Sequence, residues 1–273
     1  MTDRRENLLL LAPGLALLAL AFILPIFRML ALSVQGEDGL TGAHFARFLG
    51  DPFYLGVLWR TVRLSLLITL ICAVLGFPFA YIMARARPRL RTLLLIIVIL
   101  PLMTSVVVRT FGWMVILSRN GILPEMLRDL GLAGRSFQLM RTETAIVLGM
   151  VQVLMPFMVL SILGVLARLD QRLEEAARTM GCSFLGALRH VVLPLSMPGI
   201  AVGAVLCFTL SASSFVTPNL LGGTRVQMLA ASIYRAVTQT LDWNFAAAQS
   251  VILLVGILLV MAPYIVSQGR RHG

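Results

Sequence analysis

Lysine is absent from this chain of 273 residues, and all 23 basic side chains are arginine. Without lysine there is no P-loop, whose lysine reaches nucleotide phosphates, and no Schiff-base chemistry. Charge of either sign is scarce, at 13% of positions, where a soluble domain carries about a quarter. The three histidines, His44, His190 and His272, lie far apart and show no metal-binding spacing such as H-E-x-x-H, so neither a metal nor a cofactor is expected. The three cysteines, Cys72, Cys182 and Cys207, form no close pair along the chain. The first and last fall inside apolar runs and read as small buried hydrophobes rather than disulfides or ligands. Nor does any Asp or Glu lie in the middle of a long apolar run. That weighs against a secondary transporter driven by an ion gradient, which places ionisable groups in the membrane. A membrane-embedded enzyme is disfavoured as well, because His, Cys and the carboxylates are too scattered for a nucleophile–base or metal cluster.

Apolar residues are abundant. They fill 59% of positions, and mean hydropathy is +0.92. Six apolar runs approach the roughly 20 residues that cross the hydrocarbon as a helix: about 8–32, 64–84, 92–117, 145–167, 199–221 and 246–267. The alternation of a membrane barrel is missing, and backbone polar groups in lipid must pair internally, so the expected class is an all-α polytopic membrane protein in the lipid bilayer. The first run follows Arg4 and Arg5 and invites a signal-peptide reading. It is longer than the usual 7–15-residue core and has no clear A-x-A site, so a retained helix is expected. Pro25, Pro78, Pro101, Pro156, Pro218 and Pro263 lie within or near the spans and predict interrupted helices.

The net charge of +11 does not point to nucleic acid, because the arginines sit in short clusters between apolar spans, where orientation signals belong. Arg85, Arg87, Arg89 and Arg91 crowd one short loop, RARPRLR. Placing it in the cytoplasm puts both termini there, in keeping with Arg4, Arg5, Arg270 and Arg271. The opposite loops, roughly 33–63, 118–144 and 222–245, hold Glu37, Asp38, Asp51, Glu125, Asp129, Glu143 and Asp242.

One cytoplasmic stretch stands apart, EEAARTMGCSFLGALRHVVLPLSMPG at 174–199. Asp170 is placed to cap a short helix with Glu174 and Glu175 early and Arg178 late, as the macrodipole favours. Gly181 suits its C-terminal stop, and Ser183 suits the cap of a second helix ending near Pro194. Leu173, Ala176, Ala177 and Met180 share one face of the first helix, and Phe184, Leu188 and Val191 continue an apolar surface on the second. By pattern alone the pair is either an element docking into a partner's groove or an amphipathic loop on the membrane surface.

Glu175-Ala176-Ala177, three residues, Gly181, nine residues, then Val191-x-Leu193-Pro194 resembles the EAA motif of ABC-importer permeases, E-A-A-x3-G-x9-I-x-L-P, with Val191 in place of isoleucine. The resemblance implies a type I ABC importer transmembrane domain in a bacterial inner membrane. It implies a coupling helix seated in a cytoplasmic ABC ATPase dimer, with Glu175, Ala176, Ala177, Gly181, Leu193 and Pro194 as the coupling residues. Its further partners are a second, homologous permease and a periplasmic solute-binding protein. ATP hydrolysis is then expected on the separate subunits. Two more stretches are similar to the spermidine/putrescine permease branch: PLMTS (101–105) through VRTFGW (108–113) with SRNGIL (118–123), and SFVTPNLLGG (214–223). This implies an N-terminal helix and periplasmic loop over 1–58, a permease core over 59–267 with its EAA loop at 168–198, and a cytoplasmic tail at 268–273. The same branch also serves opines and amino-acid derivatives, and an unrelated solute such as an iron chelate stays open.

Candidates for the solute path are few. Thr209, Ser213 and Thr217 fall at i, i+4 and i+8 on the expected fifth span, either lining the path or packing helices together. Glu143 and Asp242 lie near the outer ends of spans four and six, either receiving cations or serving as solvated loop charge. Arg109 in span three is costly at depth unless paired or snorkelling, and Trp59 and Trp113 read as interfacial anchors.

Overall fold

A computed structural model of the chain describes residues 4–36, 39–132, 134 and 137–269, with side chains from residue 11 to residue 262. Glu37, Asp38, Arg270, Arg271 and His272 lie outside the described residues, as do the side chains of Arg4, Arg5 and Pro263.

The described chain is helical almost throughout. α1 (Arg4–Ser33) leads through a two-residue ladder, β1 (Gln35–Gly36) with β2 (Gly39–Leu40), to α2 (Ala43–Gly50) and α3 (Pro52–Arg85). α4 (Pro88–Ile99), a 3₁₀ turn (Leu100–Met103), α5 (Val106–Leu117) and α6 (Ile122–Asp129) follow. Next come α7 (Glu143–Leu166), α8 (Arg172–Thr179) and α9 (Phe184–Ala187), then a π turn (Leu188–Val192) and α10 (Leu193–Ala212). α11 (Val216–Gly222), α12 (Leu229–Thr238) and α13 (Trp243–Gly269) close the chain. Among the described residues six stretches are long and apolar enough to cross a membrane: Leu11–Ser33, Pro52–Arg85, Val106–Asp129, Glu143–Leu166, Phe184–Ala212 and Trp243–Ala262.

Two of the expected spans differ from what forms. The run 92–117 is not one helix. It breaks between α4 and α5, where Pro101 has no N–H to continue the ladder, the 3₁₀ turn tightens, and Thr104 and Ser105 take extended backbone. The run 199–221 begins earlier and ends sooner. Helix continues from Phe184 to Ala212, breaks at Ser213, and resumes as the separate α11.

Contacts divide the chain into two compact units, one of residues 1–56 with 232–256, the other of residues 57–231 with 257–273. In the first, Phe48 is fully buried and stacks on Tyr54 at 5.5 Å, and Tyr54 meets Phe245 edge-on at 5.0 Å. Arg47 lies 4.2 Å over the Phe245 ring and pairs with Asp242 at 2.9 Å. The apolar side chains of α1 from Leu11 to Leu24 are exposed, as a lipid-facing helix requires.

The core of the second unit is built on α7. Met150, Leu154, Met158, Ile162 and Leu166 are buried there with Leu64, Ile68, Cys72 and Met83 of α3 and Cys207 of α10. α10 approaches closely because it presents no side chain at Gly199 and Gly203. A Cβ at Gly199 would stand 2.9 Å from the Ser161 carbonyl oxygen, and one at Gly203 would stand 3.3 Å from the Met158 Cα. Small residues at such a seam let membrane helices gain dispersion contacts that lipid alone does not supply. Cys72 and Cys207, far apart in sequence, are both buried here, the Cys72 Sγ donating to the Val151 carbonyl oxygen at 3.8 Å and the Cys207 Sγ to that of Leu154 at 3.5 Å. Thr61 ties α3 to the first residue of α12, accepting from the Leu229 N–H at 2.8 Å and donating to the Val57 carbonyl oxygen.

Candidate functional site

The charged stretch after α7 folds as two helical pieces around a glycine turn. The Asp170 carboxylate accepts from the Arg172 N–H at 3.0 Å, so it closes the first turn of α8 from one position before the cap, which Gln171 occupies without a side-chain bond. At the far end the Gly181 N–H bonds the Arg178 carbonyl oxygen at 3.0 Å and the Cys182 N–H bonds that of Ala177 at 3.1 Å. This is the paired 5→2 and 6→1 closure that a left-handed residue makes possible, and Gly181 has φ +89°. Ser183 then caps α9, accepting from the Gly186 N–H at 3.1 Å.

The second piece does not stop near Pro194. It runs through the π turn, where the Leu193 N–H reaches back five residues to the Leu188 carbonyl oxygen, and continues as α10. The wider turn accommodates Pro194, which has no N–H to offer. Leu193 is half-buried and Pro194 exposed. A 29-residue helical stretch, Phe184–Ala212, therefore joins the charged loop directly to the bundle.

The face expected to be apolar on α8 is split. Ala177 is buried, while Leu173, Ala176 and Met180 stand exposed, and so does Glu175. Glu175, Arg178, Thr179, Cys182, Ser183 and Phe184 line an open groove of about 500 Å³. Glu174 is buried with Ala177, although the sequence assigned it only a place early in the helix, where the macrodipole favours an acid. Its carboxylate accepts from the Tyr81 hydroxyl at 2.6 Å and from Arg85 at 3.1 Å, both on the last turns of α3. No motif spacing connects residues 89 apart, and the only signal was an extra acid beside the motif.

The solute-path candidates do not come together. Thr209 and Ser213 share the end of α10, where the Ser213 hydroxyl donates back to the Thr209 carbonyl oxygen at 2.8 Å. Thr217 lies beyond the break on α11, buried, its hydroxyl 3.1 Å from that of Thr110 on α5. The expected single stripe is absent because the helix that would carry it is interrupted. Both candidate carboxylates are paired with arginines. Glu143, the first residue of α7, pairs with Arg60 at 3.4 Å and with Arg63. Asp242 pairs with Arg47 and also caps α13, accepting from the Phe245 N–H at 3.0 Å. Arg109 reaches the Thr104 carbonyl oxygen at 3.4 Å through one nitrogen, while its buried Nε and Nη1 have no partner among the described residues. Trp59 is exposed, as an interfacial anchor would be, whereas Trp113 turns inward. It lines a cavity of about 390 Å³ with Phe79, Val98, Pro101, Gln152 and Met155. The Gln152 Oε1 is buried without a partner among the described residues.

Comparison with known proteins agrees with this geometry. The family described as binding-protein-dependent transport system inner membrane component matches residues 76–271. The spermidine/putrescine transport system permease protein PotB of Haemophilus influenzae is 34% identical over 251 residues, covering 89% of this chain and 87% of that protein. Its Escherichia coli K12 counterpart is 35% identical over 221 residues, covering 81% and 80%. A crystal structure of a bacterial alginate ABC transporter, in complex with its alginate pentasaccharide-bound periplasmic protein, contains a chain of the same fold. It has a TM-score of 0.77 at 20% identity, with 95% of this chain and 96% of that chain covered. The chain belongs to the inner-membrane permease family of binding-protein-dependent ABC transport systems: it is a transport subunit and not an enzyme.

Proposed function

We propose that this permease forms the membrane path of a polyamine importer, together with a second, homologous permease, two ABC ATPase subunits and a periplasmic solute-binding protein. The observation that carries the solute class is the similarity to spermidine/putrescine permeases over most of the chain. In this reading residues 1–58 are an added helix and periplasmic loop, 59–267 the core, and 268–273 a tail. Both termini and the loop 168–198 face the cytoplasm.

The exposed side of α8 seats in a cleft of the ATPase. Ala176 permits close approach, Glu175 meets polar groups of the partner at the groove, and Gly181 sets the turn. Movement entering there passes into the helix Phe184–Ala212, in which Leu193 and Pro194 open α10 directly after the π turn. At 1.5 Å per residue that rod is about 44 Å long, enough to span the membrane. Rocking of α10 with α7 then alternates access between the two sides.

Thr209 and Ser213 line the path at the end of α10. With no carboxylate committed to the solute, the amine is held weakly by hydroxyl and amide oxygens and aromatic faces. Weak binding suits a path that must release its cargo, and high affinity falls to the binding protein.

The test is ATP-dependent uptake of labelled putrescine and spermidine into proteoliposomes holding the whole assembly. Uptake that requires ATP, the binding protein and this chain is the expected result. Uptake of an amino-acid derivative or an iron chelate in place of the amines overturns the solute class, and uptake without ATP overturns the importer.

A further inference from the structure

The acid beside the motif is held unlike its neighbour. A surface helix of eight residues ordinarily leaves its carboxylates in water, and Glu175 conforms. Glu174 is only 8% exposed, and both its oxygens are taken. Oε1 accepts from the Tyr81 hydroxyl at 2.6 Å and Oε2 from Arg85 Nη2 at 3.1 Å. The Arg85 guanidinium lies 5.5 Å over the Tyr81 ring, and that ring meets Phe184 edge-on at 6.2 Å. The carboxylate therefore joins the first turn of α8 to the end of α3, and the Tyr81 ring carries the contact on to the start of α9.

α8 needs such a tie. Only Glu174 and Ala177 are buried among its residues, and so short a helix is not stable by itself. Ala177 contributes one methyl group, which resists sliding poorly. Charge-assisted hydrogen bonds are short and directional and resist it far better.

We infer that Glu174 is a positioning residue for transport: through Arg85 and Tyr81 it locks the coupling helix to α3, so that a push on α8 drives α3 as well as α10. This rests on the coupling reading of α8. Docking to the ATPase uses the opposite, exposed side of α8, so loss of the lock leaves the ATPase bound and hydrolysing while its stroke is spent on α8 alone.

The whole assembly in proteoliposomes is compared with Glu174→Gln, which keeps the shape and one acceptor, and with the charge-swapped pair Glu174→Arg with Arg85→Glu. ATPase co-purification, ATP hydrolysis and labelled spermidine uptake are read together. A second readout does not depend on the solute: spin labels at Ile82 and Gln171, both exposed, in a Cys182→Ser background report the distance between α3 and the start of α8. Glu174→Gln is expected to retain the ATPase, to raise ATP hydrolysed per solute roughly fivefold or more, and to broaden a distance that is narrow in the parent. The swapped pair is expected to return both toward the parent. An unchanged distance width and unchanged stoichiometry overturn the inference, as does a swapped pair no better than the single variant. Loss of ATPase association in Glu174→Gln overturns it too, by assigning Glu174 to docking. The coupling reading fails separately, through wild-type uptake in a Gly181→Arg variant.

Discussion

The hydroxyls of Thr110 and Thr217 lie 3.1 Å apart in a buried contact between α5 and α11, the two helices that follow the breaks in spans three and five. Thr110 also donates to the Val106 carbonyl oxygen at 2.8 Å, which leaves Thr217 to donate to Thr110. The two residues are therefore not equivalent. Thr217→Val removes one bond and leaves Thr110 satisfied, at a cost of about 0.5–1 kcal/mol. Thr110→Val strands the Thr217 hydroxyl and costs more, up to about 2 kcal/mol. Unfolding of the purified protein in detergent, followed for both variants and the double, is expected to rank Thr110→Val as the more damaging single change.

Gly181 turns the chain at φ +89° with no neighbour within 4 Å of the position a Cβ would take. A substitution there meets backbone strain of about 1 kcal/mol and no clash within the protein. Gly181→Arg is therefore expected to insert into the membrane at wild-type level while import is lost, as the proposed docking of α8 on the ATPase implies. Gly181→Asn, which tolerates positive φ better, is expected to retain more import. Membrane fractionation beside an uptake assay checks both.

Glu143 and Asp242 answer to arginines, so their removal should not change how solute is recognised. Both ion pairs are substantially exposed, with side-chain exposures of 39% for Glu143 and 30% for Asp242, and such pairs contribute about 1 kcal/mol or less. Asp242→Asn keeps a good helix cap. The double variant Glu143→Gln with Asp242→Asn is expected to keep the KM for uptake within about twofold of the parent, as the loss of weak pairs outside the path implies. Asp242→Ala, which also loses the cap of α13, is expected to lower thermal stability by about 1 kcal/mol more. A large rise in KM with unchanged assembly would restore these carboxylates to the solute path.

The sequence by itself determined what depends on neighbours along the chain. Apolar runs of bilayer length became helices because a backbone in lipid has no other partner for its polar groups. The cap at Ser183 and the stop at Gly181 were legible because each acts within four residues of itself. The EAA spacing pointed to the family for the same reason. Tertiary structure alone decided the rest. Prolines marked candidate breaks, but Pro25, Pro78 and Pro156 lie inside continuous helices while Pro101 falls at a break, and the break at Ser213 carries no such mark. Which candidate interrupts the ladder depends on whether neighbouring helices re-satisfy the backbone. The pairing of Glu143 with Arg60 and Arg63, of Glu174 with Tyr81 and Arg85, and of Thr110 with Thr217 joins residues between 80 and 107 positions apart. Whether a carboxylate greets a solute, caps a helix or locks two helices together depends on which side chain the fold brings within about 3 Å of it.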